Sequence, residues 1–555
     1  MTAFIIANLA PIMFGSLIAI MILGYPIAFS LAALGLAYAM LGIWLDLFPP
    51  GFLQALPDRL FAVLANETLL AIPFFAFMGL VLERSRMAED LLDTMGQLFG
   101  SLRGGLAYAV IVVGALLAAA TGVIAAAVIA MGLISLPIML RYRYDPRLAT
   151  GVIAASGTLA QIMPPSLVLI VLADQLQRSV GDMYAGALLP ALALAGSYAL
   201  YVFGISLIRP RMAPALPPEA RSDETGLVSL IVTLAIATAT ALIATWALAP
   251  HVARAPLVYG GAIGALAALA IALVSRHLLP GLIAPLAERV LLALVPPLAL
   301  ILLVLGAIFV GIATPTEGGA LGALGALILA MARRRLDLPL LRSACEGTLQ
   351  LCSFVIFILI GARVFALTFY GVDGHIWVKD LLLMLPGGVT GFLVFVALLV
   401  FALGFFLDFF EIVFILVPLL IVPAQALGVD LIFLGVLLAL AFQTSFLTPP
   451  FGFALFYLRS VVPAKDGPDP QTGERRQGVD TLAIYRGAFP FVLIQLAMIA
   501  IVLAFPQMVT HYQRTGPGLT AGEVEQRLDD LRLPGLEDDG GFGLGAPDFT
   551  PPAPP

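Results

Sequence analysis

The sequence predicts an all-α polytopic membrane protein: about 12 transmembrane helices plus two re-entrant hairpins, in inverted-topology repeats. Three observations carry that expectation. First, 61% of the 555 residues are hydrophobic and 11% charged, with a mean hydropathy of +1.06. A soluble domain is nearer half apolar and a quarter charged, so too little polar material is present to coat a water-facing surface. Second, apolar runs of spanning length recur along most of the chain. Third, the chain repeats its own punctuation.

Taken in order, runs that could span fall at 4–24, 26–44 and 61–83. Then follow 146–172, 183–208, 226–248, 255–275, 288–312, 316–332, 344–370, 431–459 and 487–506. The first run begins almost at Met1 with no Lys or Arg before Arg59, so it reads as a retained span and not a cleavable signal. Stretches 105–140 and 389–427 are apolar but too long for one helix. Each breaks near its middle, at Ala118-Ala119-Ala120-Thr121-Gly122 and Gly404-Phe405-Phe406-Leu407-Asp408, as a re-entrant hairpin would. Residues from 507 to 555, rich in Pro, Gly and acidic groups, read as a disordered tail.

Asp145 precedes Pro164-Pro165 by 19 residues, and Asp430 precedes Pro449-Pro450 by the same 19. Gly104-Gly105 matches Gly387-Gly388, and Gly79 matches Gly361, at similar offsets. Residues 1–208 therefore form one repeat, with hairpin 105–140 and interrupted helix 146–172. Residues 288–506 form the second, with hairpin 389–427 and interrupted helix 431–459. Between them, 209–287 holds loops and an inserted helix pair. The charge distribution argues for inversion. Arg84, Arg86, Arg103, Arg141, Arg143 and Arg147 flank the first hairpin, whereas the second is flanked by Lys379 alone. Positive residues mark the cytoplasmic side, so the hairpins open to opposite faces, with the N-terminus and tail periplasmic.

Inverted repeats with broken helices point to a secondary transporter, because unwound backbone near the midplane can hold a cation or an anionic substrate. The two interruptions are Ser156–Ser166 and Gln443–Gly452. Each Pro-Pro pair removes donors and frees the carbonyls before it, and hydroxyl and amide side chains cluster alongside. A hard cation such as Na+ needs several oxygen ligands, which Ser156, Gly157, Thr158, Gln443, Thr444, Ser445, Thr448 and Asp408 could supply. The structural alternative is a pair of Pro kinks between packed helices. Asp408, Glu411, Glu317 and Arg363 are intramembrane charges and functional candidates by their cost of burial, with a structural ion pair as the alternative for Glu317 and Arg363.

Other chemistries find no support. The chain lacks a phosphate-binding loop, a Cys/His metal cluster and any paired nucleophile and base, so an enzyme is not expected. Cys345 and Cys352, seven apart on one apolar run, are too far along a helix to form a disulfide. A net charge of −6 does not point to a strongly acidic or basic partner, and nucleic acid is not expected.

Several motifs in order resemble the large membrane subunit of tripartite ATP-independent periplasmic (TRAP) transporters. They are Ile72-Pro73-Phe74, Arg103-Gly104-Gly105, Arg143-Tyr144-Asp145-Pro146, Ser156-Gly157-Thr158 and Pro164-Pro165-Ser166, then Thr314-Pro315-Thr316-Glu317, Leu407-Asp408 and Leu447-Thr448-Pro449-Pro450-Phe451-Gly452. The resemblance runs from about residue 5 to 506, outside the inserted pair. It implies Na+-driven uptake across the bacterial inner membrane by an elevator motion. It also implies a small four-helix membrane subunit and a periplasmic binding protein that delivers an organic acid or similar solute. Substrate would lie between the hairpin tips, at Thr121, Gly122, Pro165, Ser166, Gly404, Asp408 and Pro450. The family's first tip is usually richer in Gly and Ser than Ala118–Gly122, which leaves backbone carbonyls to coordinate there. A stand-alone ion-coupled anion transporter or exchanger of similar two-hairpin architecture is the rival reading.

Overall fold

The structure is a computed structural model that describes residues 4, 6, 8–220, 226–248, 256–463, 467–468, 475–476 and 478–511. Of the expected disordered tail, 507–555, Gln507–Thr510 is instead a short helix, and residues beyond 511 lie outside the described residues. Among the described residues the chain is helical, apart from a two-residue strand pair, Gly467–Pro468 with Arg475–Arg476. Ten helices among the described residues are long and apolar enough to cross a membrane, or eleven if a bent pair counts as one span, and three shorter apolar helices accompany them.

The first half contains α1 (Leu9–Ile22), α2 (Ile27–Trp44), α3 (Leu56–Leu64), α4 (Ala71–Arg84) and α5 (Met87–Leu98). Helices α6 (Gly105–Thr121) and α7 (Ile124–Arg141) form the first hairpin. The interrupted helix is α8 (Pro146–Thr158), a short 3-10 turn and α9 (Leu167–Gln175), followed by α10 (Val180–Ile208). The inserted pair is α11 (Leu227–Leu248) and α12 (Pro256–His277). The second half contains α13 (Pro285–Val310), α14 (Pro315–Ala332), α15 (Leu338–Gly371) and α16 (Gly374–Leu383). Its hairpin is α17 (Gly388–Leu403) and α18 (Phe409–Ala426), and its interrupted helix is α19 (Leu431–Leu447) and α20 (Phe453–Val461). Helices α21 (Thr481–Ala504) and α22 (Gln507–Thr510) close the described chain.

The repeated punctuation has a local physical cause. Asp145 and Asp430 are N-caps: Asp145 Oδ1 accepts from Arg147 N at 2.8 Å and Asp430 Oδ1 from Phe433 N at 2.8 Å. Each therefore satisfies an orphan amide where its interrupted helix begins. Gly104 and Gly387 precede the first arm of each hairpin with φ of 80° and 92°, a region closed to most side chains. The prolines end the first segments, and both Pro164-Pro165 and Pro449-Pro450 are cis.

Packing exchanges partners between the halves. Helix α2 lies on α15, and the corresponding α14 lies on α4; α7 lies on α20, and α18 on α9; α8 lies on α21, and α19 on α10. Each of these contacts joins one half to the other, and each has its reciprocal, as a two-fold relation requires. Small residues permit the approach. A Cβ on Gly35 would stand 2.8 Å from the Val364 backbone, and one on Gly322 2.5 Å from Met78 Sδ.

Three departures from the sequence reading have physical reasons. The expected span 61–83 is divided between α3 and α4, because Asn66 turns the chain: its Oδ1 accepts from Thr68 N at 2.9 Å while its Nδ2 donates to Asp174 at 2.7 Å. Helices α5 and α16 fall in stretches not read as helical. In α5 the apolar Met87, Leu91, Leu92 and Met95 are buried while acidic residues face outward. Asp90 pairs with Arg333 and Arg335, both at 3.0 Å, so the C-terminal ends of α4 and α14 share a face. Helix α16 meets α17 at 116°. Finally, Gly79 and Gly361 occupy corresponding helices but different contacts, Gly79 against the first hairpin tip and Gly361 against Ala28 of α2.

Candidate functional site

The two hairpin tips and the two helix interruptions converge. A cavity of about 330 Å³ is bordered by Gly122, Val123, Ile124 and Ala125 from the first tip and by Asp408, Phe409 and Phe410 from the second. Gln161 and Val168 come from the first interrupted helix, Phe446, Phe453 and Tyr457 from the second, and Leu351 and Phe354 from α15. Gly122 adopts φ of 61° and a Cβ there would meet Leu167 N at 2.9 Å. Only glycine both turns the chain at that tip and lets it press on the start of α9.

Of the seven residues expected around substrate, Gly122 and Asp408 border the cavity. Thr121, Pro165, Ser166, Gly404 and Pro450 are not in its wall. The Thr121 hydroxyl donates to Leu117 O at 2.9 Å. Ser166 caps α9, accepting from Val168 N at 3.2 Å, and its hydroxyl donates to Ala160 O at 2.7 Å, one of the unwound carbonyls. Gly404 packs against Ser445, where an added Cβ would lie 2.6 Å from Oγ. Pro450 O accepts from Tyr485.

The expected cation ligands divide into two kinds. Ser156 and Ser445 are fully buried and their hydroxyl oxygens have no partner. Each faces a glycine of a hairpin arm or tip: Gly114, whose added Cβ would sit 2.5 Å from Ser156 Cβ, and Gly404. A buried hydroxyl without a partner is costly, so two of them on matching elements point to oxygens reserved for something else. Thr158, Thr444 and Thr448 instead donate to carbonyls of their own helices at 2.7 to 2.8 Å, which leaves lone pairs free to coordinate. Gly157 is packed against Val128. Asp408 stands at the N-cap of α18, and its N–H donates to Glu411 Oε2 at 2.9 Å.

Sequence reading named Thr158 and Gln443 but not the two residues that link them, Tyr198 and Gln495. Tyr198 of α10, fully buried, receives the Gln443 amide at 3.2 Å and the Gln495 amide at 2.7 Å, and Gln495 also reaches Thr158 Oγ1 at 3.3 Å. This network joins α8, α10, α19 and α21, one interrupted and one terminal helix from each half. The signal was present as a Gln within the otherwise apolar run 487–506, which is expensive in lipid unless paired. Gln161 was also passed over as a site residue. It is fully buried, and neither amide atom has a partner.

The remaining intramembrane charges are structural or peripheral. Glu317 forms a capping box with Thr314, accepting from its N–H at 2.8 Å, and is exposed. Arg363 lies in α15, away from the cavity wall.

Fold and site thus define a multi-pass membrane protein in which paired helix breaks and paired hairpins border a largely apolar cavity that holds Asp408 and Gln161. The chain belongs to the family of the tripartite ATP-independent periplasmic transporter, DctM component, whose model matches residues 14–281 and 282–508. It is 28% identical over 470 residues to the C4-dicarboxylate TRAP transporter large permease protein of Pseudomonas aeruginosa, covering 83% of this chain and 89% of that one. It is 24% identical over 502 residues to the 2,3-diketo-L-gulonate TRAP transporter large permease protein of Escherichia coli, covering 90% and 97%. With the sialic acid TRAP transporter permease protein of Haemophilus influenzae it shares 22% over 492 residues, covering 88% of this chain and 66% of that one. Among solved structures, the YdaH transporter of Alcanivorax borkumensis aligns with a TM-score of 0.48 and 15% identity, over 84% of this chain and 90% of that chain.

Proposed function

We propose that this chain is the large subunit of a Na+-coupled uptake transporter in the bacterial inner membrane, fed with an organic acid or similar small solute by a periplasmic binding protein. A separate small four-helix membrane subunit completes the complex. The observation that carries the reading is the cavity at which both hairpin tips meet both helix interruptions, with the unpartnered oxygens of Ser156 and Ser445 packed behind the hairpins. Na+ bound there would be held by those hydroxyls, by carbonyls freed at the breaks and by the Thr158, Thr444 and Thr448 lone pairs. Filling both positions would stiffen the tips around the solute, which makes solute binding depend on Na+.

The motion is an elevator. The Tyr198 network fastens the interrupted and terminal helices of both halves into one body, which supports a rigid displacement of that body past the α2–α15 and α4–α14 pairs. The halves are inverted in the membrane, with the N-terminus and tail periplasmic, as the opposite Arg loading of the two hairpin bases supports. The test is solute uptake into proteoliposomes holding the complete complex. Uptake that needs both an inward Na+ gradient and the binding protein is expected. Full uptake without the binding protein would favour a stand-alone transporter.

A further inference from the structure

We infer that the cavity takes a small zwitterion, with its carboxylate at the start of α7 and its cationic group by Asp408. The inference rests on the transport reading and names the solute class for that site. Asp408 is the one charged side chain in the cavity wall, which contains no Lys, Arg or His. A dicarboxylate there would meet a carboxylate and no cationic side chain. A solute with a positive centre instead gains the Asp408 charge in a wall rich in aromatic side chains, Phe409, Phe446, Phe453 and Tyr457 among them.

A second part of the wall favours an anion. Gly122 through Ala125 form the start of α7, a helix of 18 residues with no side-chain cap. Its first-turn amides and dipole favour a carboxylate. Gln161 supplies an independent sign that a polar ligand belongs here. Its amide is fully buried at the cavity with neither the oxygen nor the nitrogen partnered. One amide can donate to a carboxylate or accept from an ammonium, so either end of a zwitterion would relieve it.

The test is the melting temperature of the purified full chain in saturating NaCl, titrated with millimolar solutes, below the range of general osmolyte effects. Glycine betaine, L-proline and 4-aminobutyrate sample different charge separations. The comparison solutes are 3,3-dimethylbutyrate, which keeps betaine's shape without its positive charge, and succinate. At least one zwitterion should give a saturable shift at a concentration at least tenfold below either comparison solute. Asp408→Asn should reverse a betaine preference over 3,3-dimethylbutyrate. If that variant does not fold, Gln161→Leu should weaken zwitterion binding at least tenfold. Stabilisation by succinate alone, or by no zwitterion, would overturn the inference. A Na+-specific shift measured without solute speaks to the transport reading separately, so the two can fail independently.

Discussion

Gln495 of α21 donates its amide to the Tyr198 hydroxyl at 2.7 Å, deep in the molecule, and Gln443 reaches the same oxygen from the second interrupted helix. One phenol thus joins α10 of the first half to α19 and α21 of the second. Removing it by Tyr198→Phe leaves two buried amides short of a partner, a loss of about 1 to 3 kcal/mol for each group stranded. We expect a lower melting temperature and slowed uptake. A double-mutant cycle of Tyr198→Phe with Gln495→Leu should show non-additivity, and strictly additive losses would mean the contact carries no coupling.

Ser156 and Ser445 should behave in the opposite way. Neither hydroxyl has a partner in the fold, so Ser156→Ala and Ser445→Ala should leave stability in KCl unchanged or raised by up to about 1 to 2 kcal/mol. The same variants should reduce the stabilisation given by NaCl. Melting curves in the two salts separate the effects; equal losses in both would make the serines ordinary packing residues.

Gly79 and Gly404 hold the hairpin tips close to the elements behind them. An added Cβ would lie 2.5 Å from Thr121 Cα at Gly79 and 2.6 Å from Ser445 Oγ at Gly404. Gly79→Ala meets backbone and must displace the first tip, with a cost on the order of 1 to 3 kcal/mol. Uptake by Gly79→Ala should fall more than tenfold, whereas alanine at Gly196, which has open space, should transport normally.

Much of this architecture is legible from residue order alone. The hairpin breaks at Gly122 and at Gly404–Asp408 fall where apolar runs exceed a helix length, and the interrupted helices are marked by their Asp caps and Pro pairs. The site itself was less legible. Gln161 was counted as part of a break, but only the three-dimensional arrangement shows it orphaned at a cavity with Asp408. Tyr198 and Gln495 lie 297 residues apart, so Gln495 stands out in its apolar run but its partner does not. Ser166, expected beside the substrate, caps α9 and lies outside the cavity wall. Sequence spacing reveals where a helix breaks; it does not reveal which polar groups the break leaves unpaired.

Topology supplies another prediction. Single cysteines replacing Asp145 and Asp430, at the starts of the two interrupted helices, should label from opposite faces of the membrane, in the cytoplasm and periplasm respectively. Labelling from one face would remove the inversion, and with it the argument that the two breaks are equivalent halves of one site.

The most direct test of the account is the melting temperature of the purified protein in NaCl, KCl and choline chloride at equal ionic strength. A ligand that binds only the folded state stabilises it by about 2.7 kcal/mol at a hundred times its Kd. The account predicts a rise specific to Na+ that Ser156→Ala and Ser445→Ala each diminish. Identical melting in all three salts would contradict Na+ sites behind the hairpins.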